Sequence, residues 1–350
     1  MSTSPGTCVE PLSLGPTGPF PDVPLRAPLE RRWLHYAFLS RDSGQSVIAN
    51  LSALGPDGDG HAPHRTTILL VHDREHGWHS SQFNADRPDH PWSSFRSPHA
   101  IGVAGDFDVA ARTGVPAVKL RLRRTGRPCT SQSAAFGGGE HLRWQSEPGV
   151  LASGLVRLPG IERDVELLGY HERVRGRWSW PALGGWVFGF VNDPVGRSDE
   201  PPPTAVVFTL IQSRDPRAAA SGSVMLWRRG RLVRHFPRRA FQVAVHDVLD
   251  RDQVVLVPPL ARALGTAPAA SVPRRLLITA RSGSDRLLLD FRGSTAARIA
   301  NPCETGLPAF SVHETLGACH VEGVVAGRRL DFQAPGIVEF AGGTGDADDH

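Results

Sequence analysis

At 350 residues the chain exceeds the usual reach of one hydrophobic core, so two domains or one large two-layer β unit are expected. A composition of 40% hydrophobic and 21% charged residues contains no run of about 18 apolar residues, which excludes a membrane-spanning helix. The net charge of +4, 39 basic less 35 acidic residues, is spread along the sequence and argues against a nucleic-acid partner.

The first 28 residues are rich in Pro, Gly and Ser and read as a flexible leader. They lack the basic head and apolar segment of a secretion signal, so the expected location is cytoplasmic. From Arg32 the texture changes to short β-type runs. Trp33 to Leu39, Gln45 to Leu54, Thr66 to His72 and Gly77 to Phe83 predict four successive strands of an antiparallel meander. Residues 85 to 115, rich in Pro, His and Asp, predict an irregular insertion or short edge strands. Val118 to Arg124 alternates strictly and predicts a strand with one wet face. Weaker strand signals follow at His141 to Gln145 and Val165 to Leu168.

The second half opens with a Pro-rich loop near residues 193–204 and resumes the β texture. Strands are expected at Ala205 to Gln212, Ser223 to Trp227, Arg231 to His235, Phe241 to Val245 and Gln253 to Val257. Ala261 to Ala270 predicts a short helix. Arg274 to Ala280 and Asp285 to Phe291 bracket the turn RSGS as a hairpin. Ala318 to Val325, Leu330 to Phe332 and Gly336 to Phe340 close the chain, before a Gly- and Asp-rich tail from Gly342 that is expected to be disordered. The fold class is therefore mainly antiparallel β, as two units of similar size.

Several chemistries can be set aside. There is no GxSxG elbow, P-loop or HExxH pair, and FGGGE at Phe136 to Glu140 lacks the strand-to-helix setting of a nucleotide fingerprint and reads as a turn. Lys119 is the only lysine and lies in an alternating run, which disfavours Schiff-base chemistry. Cys8, Cys129, Cys303 and Cys319 form no CxxC pair and are read as free thiols; a Cys303–Cys319 pair has no further support. His61, His64, His72, His76, His79, His90 and His99 show no ligand spacing, so no metal is expected.

The stretch from Glu166 to Asn192 gathers Trp178, Trp180, Trp186, Tyr170 and the pair His171 and Glu172, followed by Arg173 and Arg175. Aromatic surface beside ionisable groups suits an apolar ligand with one or two polar contacts, and suits a Trp-rich core strand equally. Trp33, Tyr36 and Trp78 are candidates for the same pocket wall, with Trp33 and Tyr36 on opposite faces of their strand. Alternation puts Glu172 with Tyr170 and Val174 on one face, and His171, Arg173 and Arg175 on the other; either could line a cavity. Desolvation there would raise the pKa of Glu172 and make it a proton donor.

GYHE at Gly169 to Glu172, with Trp178 and the run Gly184, Gly185, Trp186 after it, resembles the GYHD motif of the hydroxyneurosporene synthase (carotenoid 1,2-hydratase) superfamily. That calycin-like group includes tocopherol-cyclase-like folds and two-domain β-barrel Diels–Alderases. WLHYAFL resembles the family's W-x-x-Y first strand, and VEGVVAGRRLDFQAPGIVEF its final hairpin, ending on Gly336, Glu339 and Phe340. The resemblance implies a β-sandwich-like domain over residues 29–180 and a lipocalin-like antiparallel barrel over 181–341. It also implies a cleft for a hydrophobic polyene, polyketide or terpenoid-like small molecule, with no cofactor.

Two departures weigh on the reaction. The hydratase motif continues as GYHDHNWG, whereas Arg173 and Arg175 stand here before Gly176; Phe208 and Leu210 stand where hydratases present Tyr and Asp. The leading expectation is therefore a cofactor-independent cyclase of the Diels–Alderase kind, with Tyr170, His171 and Glu172 as catalytic candidates. Its substrate would lie on Trp33, Tyr36, Trp78, Arg173, Arg175, Trp178, Trp180, Trp186 and Phe208. The alternatives are a hydratase or isomerase using Glu172 as acid, and a lipid-binding protein without catalysis.

Overall fold

The computed structural model describes residues 27, 29–42, 44–55, 64–84, 104–109, 116–137, 139–179, 183–193, 203–213, 221–257, 271–300 and 310–343. Trp180, Cys8, Cys303, His61, His90, His99, the helix expected at Ala261 to Ala270, nearly all of the leader and most of the Pro-rich loop lie outside them. The described residues form strands and two 3-10 turns, divided between two sheets. No helix among them is long and apolar enough to cross a membrane.

The first sheet holds β1 (Glu30–Leu39), β2 (Gln45–Leu54), β3 (His64–Asp73), β4 (Gly77–Asn84), β5 (Ala104–Val109), β6 (Ala117–Arg124), β7 (Cys129–Gly137), β8 (Glu140–Leu158) and β9 (Ile161–Arg177). Its order is β4-β3-β2-β1-β9-β8-β6-β5, with β7 on β8. The expected meander is present as β1 to β4. In β6 the apolar Val118, Leu120 and Leu122 are buried and Lys119, Arg121 and Arg123 exposed, as their alternation predicts.

The signals at His141 to Gln145 and Val165 to Leu168 are corrected to a long hairpin, β8 and β9. Its interior carries Pro148 and Gly149, which interrupt the apolar pattern and sit at a register shift between Pro148 and Val150. A left-handed Gly160, φ 77°, turns one strand into the other. Cys129 to Gly137 is likewise a strand, so Gly137, the first glycine of FGGGE, belongs to β7.

The second sheet holds β10 (Leu183–Asn192), β11 (Ala205–Ser213), β12 (Ser221–Arg228), β13 (Arg231–Pro237), β14 (Phe241–Val248), β15 (Val254–Val257), β16 (Pro273–Ser282), β17 (Asp285–Ala300), β18 (Phe310–Val325) and β19 (Arg328–Gly343). Its order is β13-β12-β11-β10-β19-β18-β17-β16-β14. The edge strands β13 and β14 are consecutive and joined by the 3-10 turn Arg238–Ala240, so the sheet is curled nearly onto itself. The expected hairpin is present as β16 and β17. β15 pairs with β17 in parallel, within a sheet whose other pairings are antiparallel as expected. Cys129 and Cys319 are buried free thiols.

Three apolar clusters hold this together. One lies inside the curled second sheet around Phe208, Phe236 and Phe291. Another covers one face of the first sheet around Leu34, Tyr36 and Phe38. The third joins the two sheets through Trp178, Tyr170, Phe188 and Phe190, with Trp33 and Trp186 against it. The middle of β9, Gly169 to Glu172, and the part of β1 paired with it are thus buried on both faces, and their close approach depends on Gly169. A Cβ there would lie 2.0 Å from the Ala37 carbonyl oxygen and 2.5 Å from Phe38 Cδ1. Gly169→Ala must push β1 and β9 apart, and is expected to cost at least about 3 kcal/mol in urea unfolding.

Candidate active site between the sheets

Cross-strand pairing assembles the site. On the first sheet Glu172 on β9 pairs with His35 on β1, which pairs with Asn50 on β2. One step along, Trp33 pairs with Ser52, which pairs with Thr66 on β3. On the facing surface of the second sheet Phe188 on β10 pairs with Glu339 on β19, which pairs with Glu314 on β18. These residues, with Ile68, Trp186, Ile299 and Val312, line one cavity of ≈ 680 Å³ counting its open mouth.

Glu172 is 8% exposed and Glu314 2%. Tyr170 donates its hydroxyl hydrogen to Glu172 Oε2 at 2.6 Å, and the Tyr170 oxygen lies 2.9 Å from Ser146 Oγ. Trp33 also hydrogen-bonds Glu172, and Trp186 Nε1 donates to Glu339. Loss of water around Glu172 outweighs these two hydrogen bonds, and with the nearby Glu339 it pushes the carboxyl up to about 8. Burial raises Glu314 well above the carboxylate range, and its hydrogen-bonded neighbour Glu339 adds to the shift. Like charges directly opposite across a sheet repel, so Glu314, facing Glu339, holds its proton.

Burial also lowers the pKa of His35 and favours neutral imidazole. His35 Nε2 and Glu314 Oε2 are buried without a protein partner. His35, Glu314 and Glu339 each bring one ligand-type atom within 4.8 Å of the others, a spacing that could also hold a cation; Asp73, Glu75 and His76 make a second, more exposed group.

Of the residues singled out from the sequence, the structure brings Glu172, Trp33 and Trp186 together on the cavity. Tyr170 is fully buried behind Glu172 and positions it. Trp178 is also fully buried, edge-on to Trp33 at 5.2 Å, and supports the wall from behind. Trp78 hydrogen-bonds Thr295 at 3.0 Å where β4 meets the second sheet, away from the cavity lining. Tyr36, His171, Arg173 and Arg175 are placed elsewhere: strand alternation turns them to the other face of the first sheet, where Tyr36 stacks on His171 at 4.0 Å. Phe208 belongs to the interior of the second sheet.

His35, Glu314 and Glu339 were missed by sequence reasoning. Glu339 stood in the closing motif that carries the resemblance, and His35 in the first strand. Glu314 had no signal, because the expected strand began only at Ala318.

No family profile matches the chain, and no curated protein sequence matches it. Solved structures do. A provisional AttH protein from Nitrosomonas europaea aligns over 94% of this chain and 99% of its own at 14% identity, with a TM-score of 0.61. CghA, solved with Sch210972, aligns over 89% and 88% at 13% identity, with a TM-score of 0.55. Kievitone hydratase from Nectria haematococca aligns over 88% of each chain at 10% identity, with a TM-score of 0.52. The chain has the calycin-like fold. Its two sheets, the second of them curled, are those of this architecture, and the carboxyl-lined cavity lies between them.

Proposed function

We propose that the protein is an acid catalyst that adds a proton to a carbon–carbon double bond of an apolar, unsaturated substrate, with water completing the addition. The observation that carries this reading is the meeting of Glu172, Glu314 and Glu339 in a cavity walled by Trp33, Trp186 and Phe188. Three carboxyl groups in such surroundings cannot all ionise, so a proton is held ready at neutral pH.

Glu172 gives its proton to one alkene carbon; the π pair becomes the new C–H bond and the neighbouring carbon becomes cationic. The faces of Trp33 and Trp186 and the new Glu172 carboxylate stabilise that cation. A water held by the polar side of the cavity, Asn50, Ser52 and Thr66, forms the C–O bond. Its surplus proton returns to a carboxylate of the cluster, so the net change is alkene plus water to alcohol. Kievitone hydratase has this fold and is named for a hydration, which supports the reading over a cavity acting by shape alone. The second reading is the cyclisation expected from the sequence, which the aromatic wall favours and which is consistent with a fold relative that holds a small molecule.

One experiment separates them. Linear terpenoid and polyketide polyenes are incubated with the protein in D₂O and the products read by mass spectrometry and NMR. Hydration predicts a gain of one water and a new C–D bond. An isomer of unchanged mass with no carbon-bound deuterium assigns the shape-driven cyclase and overturns acid catalysis. Recovery of unchanged ligand bound to the protein assigns a binder. Turnover is expected to survive exhaustive treatment with a chelator; loss restored by a divalent cation would put a metal ion between His35, Glu314 and Glu339 in place of the proton on Glu314.

A further inference from the structure

The arginines that follow Glu172 face away from the cavity, and they do not stand alone there. Arg175 pairs with Arg32 on β1 and with Arg143 on β8, three guanidinium groups in one row across the sheet. Arg175 and Arg143 are exposed, while Arg173, one step inward on the same face, is only partly so. The lane ends at Arg124 on β6, whose side chain is 0% exposed.

Charge does not balance at this inner end. Arg124 Nε lies 2.5 Å from Glu147 Oε1, a buried ion pair. His171 adds no negative charge and no positive one: its Nδ1 meets the His35 carbonyl oxygen at 3.0 Å and its Nε2 accepts from Arg173 Nε at 3.3 Å, which defines a neutral ring. Two guanidinium groups therefore face one carboxyl group, Glu147, which burial pushes up to about 7 against the pull of Arg124 and Arg173. Arg124 Nη1 and Nη2 and Arg173 Nη2 are buried and have no partner in the protein. Unpaired N–H groups of a buried cation are costly, and an anion that accepts from them removes the cost.

We infer that the inner end of this lane is an anion site, separate from the glutamate-lined cavity, that takes the carboxylate of a small organic acid. With Glu147 ionised, as it is above about pH 7, the excess is one positive charge, which a monocarboxylate neutralises and a phosphate dianion overshoots. Planar guanidinium forks match the two oxygens of a carboxylate in plane. The exposed Arg143 and Arg175 raise the local concentration of anions at the mouth of the lane. This reading is independent of the reaction in the cavity.

Calorimetric titration of the full chain with sodium formate and sodium acetate at fixed ionic strength tests it, with inorganic phosphate in a parallel titration. Saturable carboxylate binding is expected, weakened at least about tenfold in Arg173→Gln. Arg173 is partly exposed, so this variant keeps its fold where Arg124→Gln could lose it, and circular dichroism checks both. Glu147→Gln removes the internal competitor and is expected to tighten formate binding several-fold, a change that a merely structural cluster would not give. Absence of saturable carboxylate binding, or equal affinity in Arg173→Gln, overturns the site. Tighter binding of phosphate than of formate overturns the carboxylate assignment.

Discussion

Glu172→Gln is expected to lower turnover by about 10²- to 10⁴-fold, the usual contribution of a positioned general acid, while making the folded protein more stable at alkaline pH. Gln keeps the shape and still meets the Tyr170 hydroxyl, but it has no proton to give to carbon. The wild-type rate should fall as pH rises through about 8, where Glu172 ionises, and this limb should be absent from the residual activity of the variant. A shape-driven cyclase would instead keep much of its rate.

The stability change has a definite sign. The folded carboxyl holds its proton to about 8, whereas the unfolded one releases it near 4.5. Between those values the folded state binds more protons, so the contribution of Glu172 is fully present below about 4.5 and is lost as pH rises towards 8. Each pKa unit corresponds to on the order of 1.4 kcal/mol. Thermal unfolding at pH 9 should show a higher Tm for Glu172→Gln than for the wild type, and little difference at pH 4. A lower Tm for the variant at pH 9 would contradict the buried, protonated state of this group.

Trp178→Ala is expected to cost about 3–5 kcal/mol in chemical unfolding, the range for loss of a large core aromatic. Trp178 is 0% exposed, its ring lies edge-on to Trp33 at 5.2 Å, and Trp33 lies 6.1 Å from Trp186. Arg31 sits over the ring at 5.7 Å and donates to the Trp178 carbonyl at 2.7 Å. The cavity left by Ala would release Trp33, so substrate affinity should weaken although Trp178 itself does not line the pocket. Trp178→Phe is the informative companion. Trp178 Nε1 is buried without a partner, so removing that N–H offsets part of the lost ring area, and a loss below about 1.5 kcal/mol is expected. Equal losses for Ala and Phe would show that the ring is not the packed support described here.

The β1 to β4 meander and the β16–β17 hairpin were legible because their apolar runs are short and bounded by Gly, Asp and Ser. The β8–β9 hairpin was legible only in fragments: Pro148, Gly149 and the charged residues of β9 break its alternation, although pairing along both strands carries the chain through. The site divides in the same way. Alternation alone separates Glu172 from His171 and Arg173, but it cannot say which face meets the second sheet. Both faces of β9 are buried from Gly169 to Glu172, so burial propensity offered no answer.

Sequence by itself determined a β fold of two similar halves, a central strand with an acid beside aromatic residues, and the pairing of Tyr170 with Glu172 on one face. Those features depend on local chain geometry, the two-residue period of a strand and the preferences of its turns. Only the tertiary structure decided that Glu314 and Glu339 face each other, that they share a cavity with Glu172 and His35, and that the neighbouring arginines form a cationic lane on the reverse surface. Glu314 and Glu339 lie on the consecutive strands β18 and β19, but His35 on β1 and Glu172 on β9 lie far from them and from each other in the chain. Their effect on one another acts through desolvation and charge across the space between two sheets, a distance that no local pattern encodes.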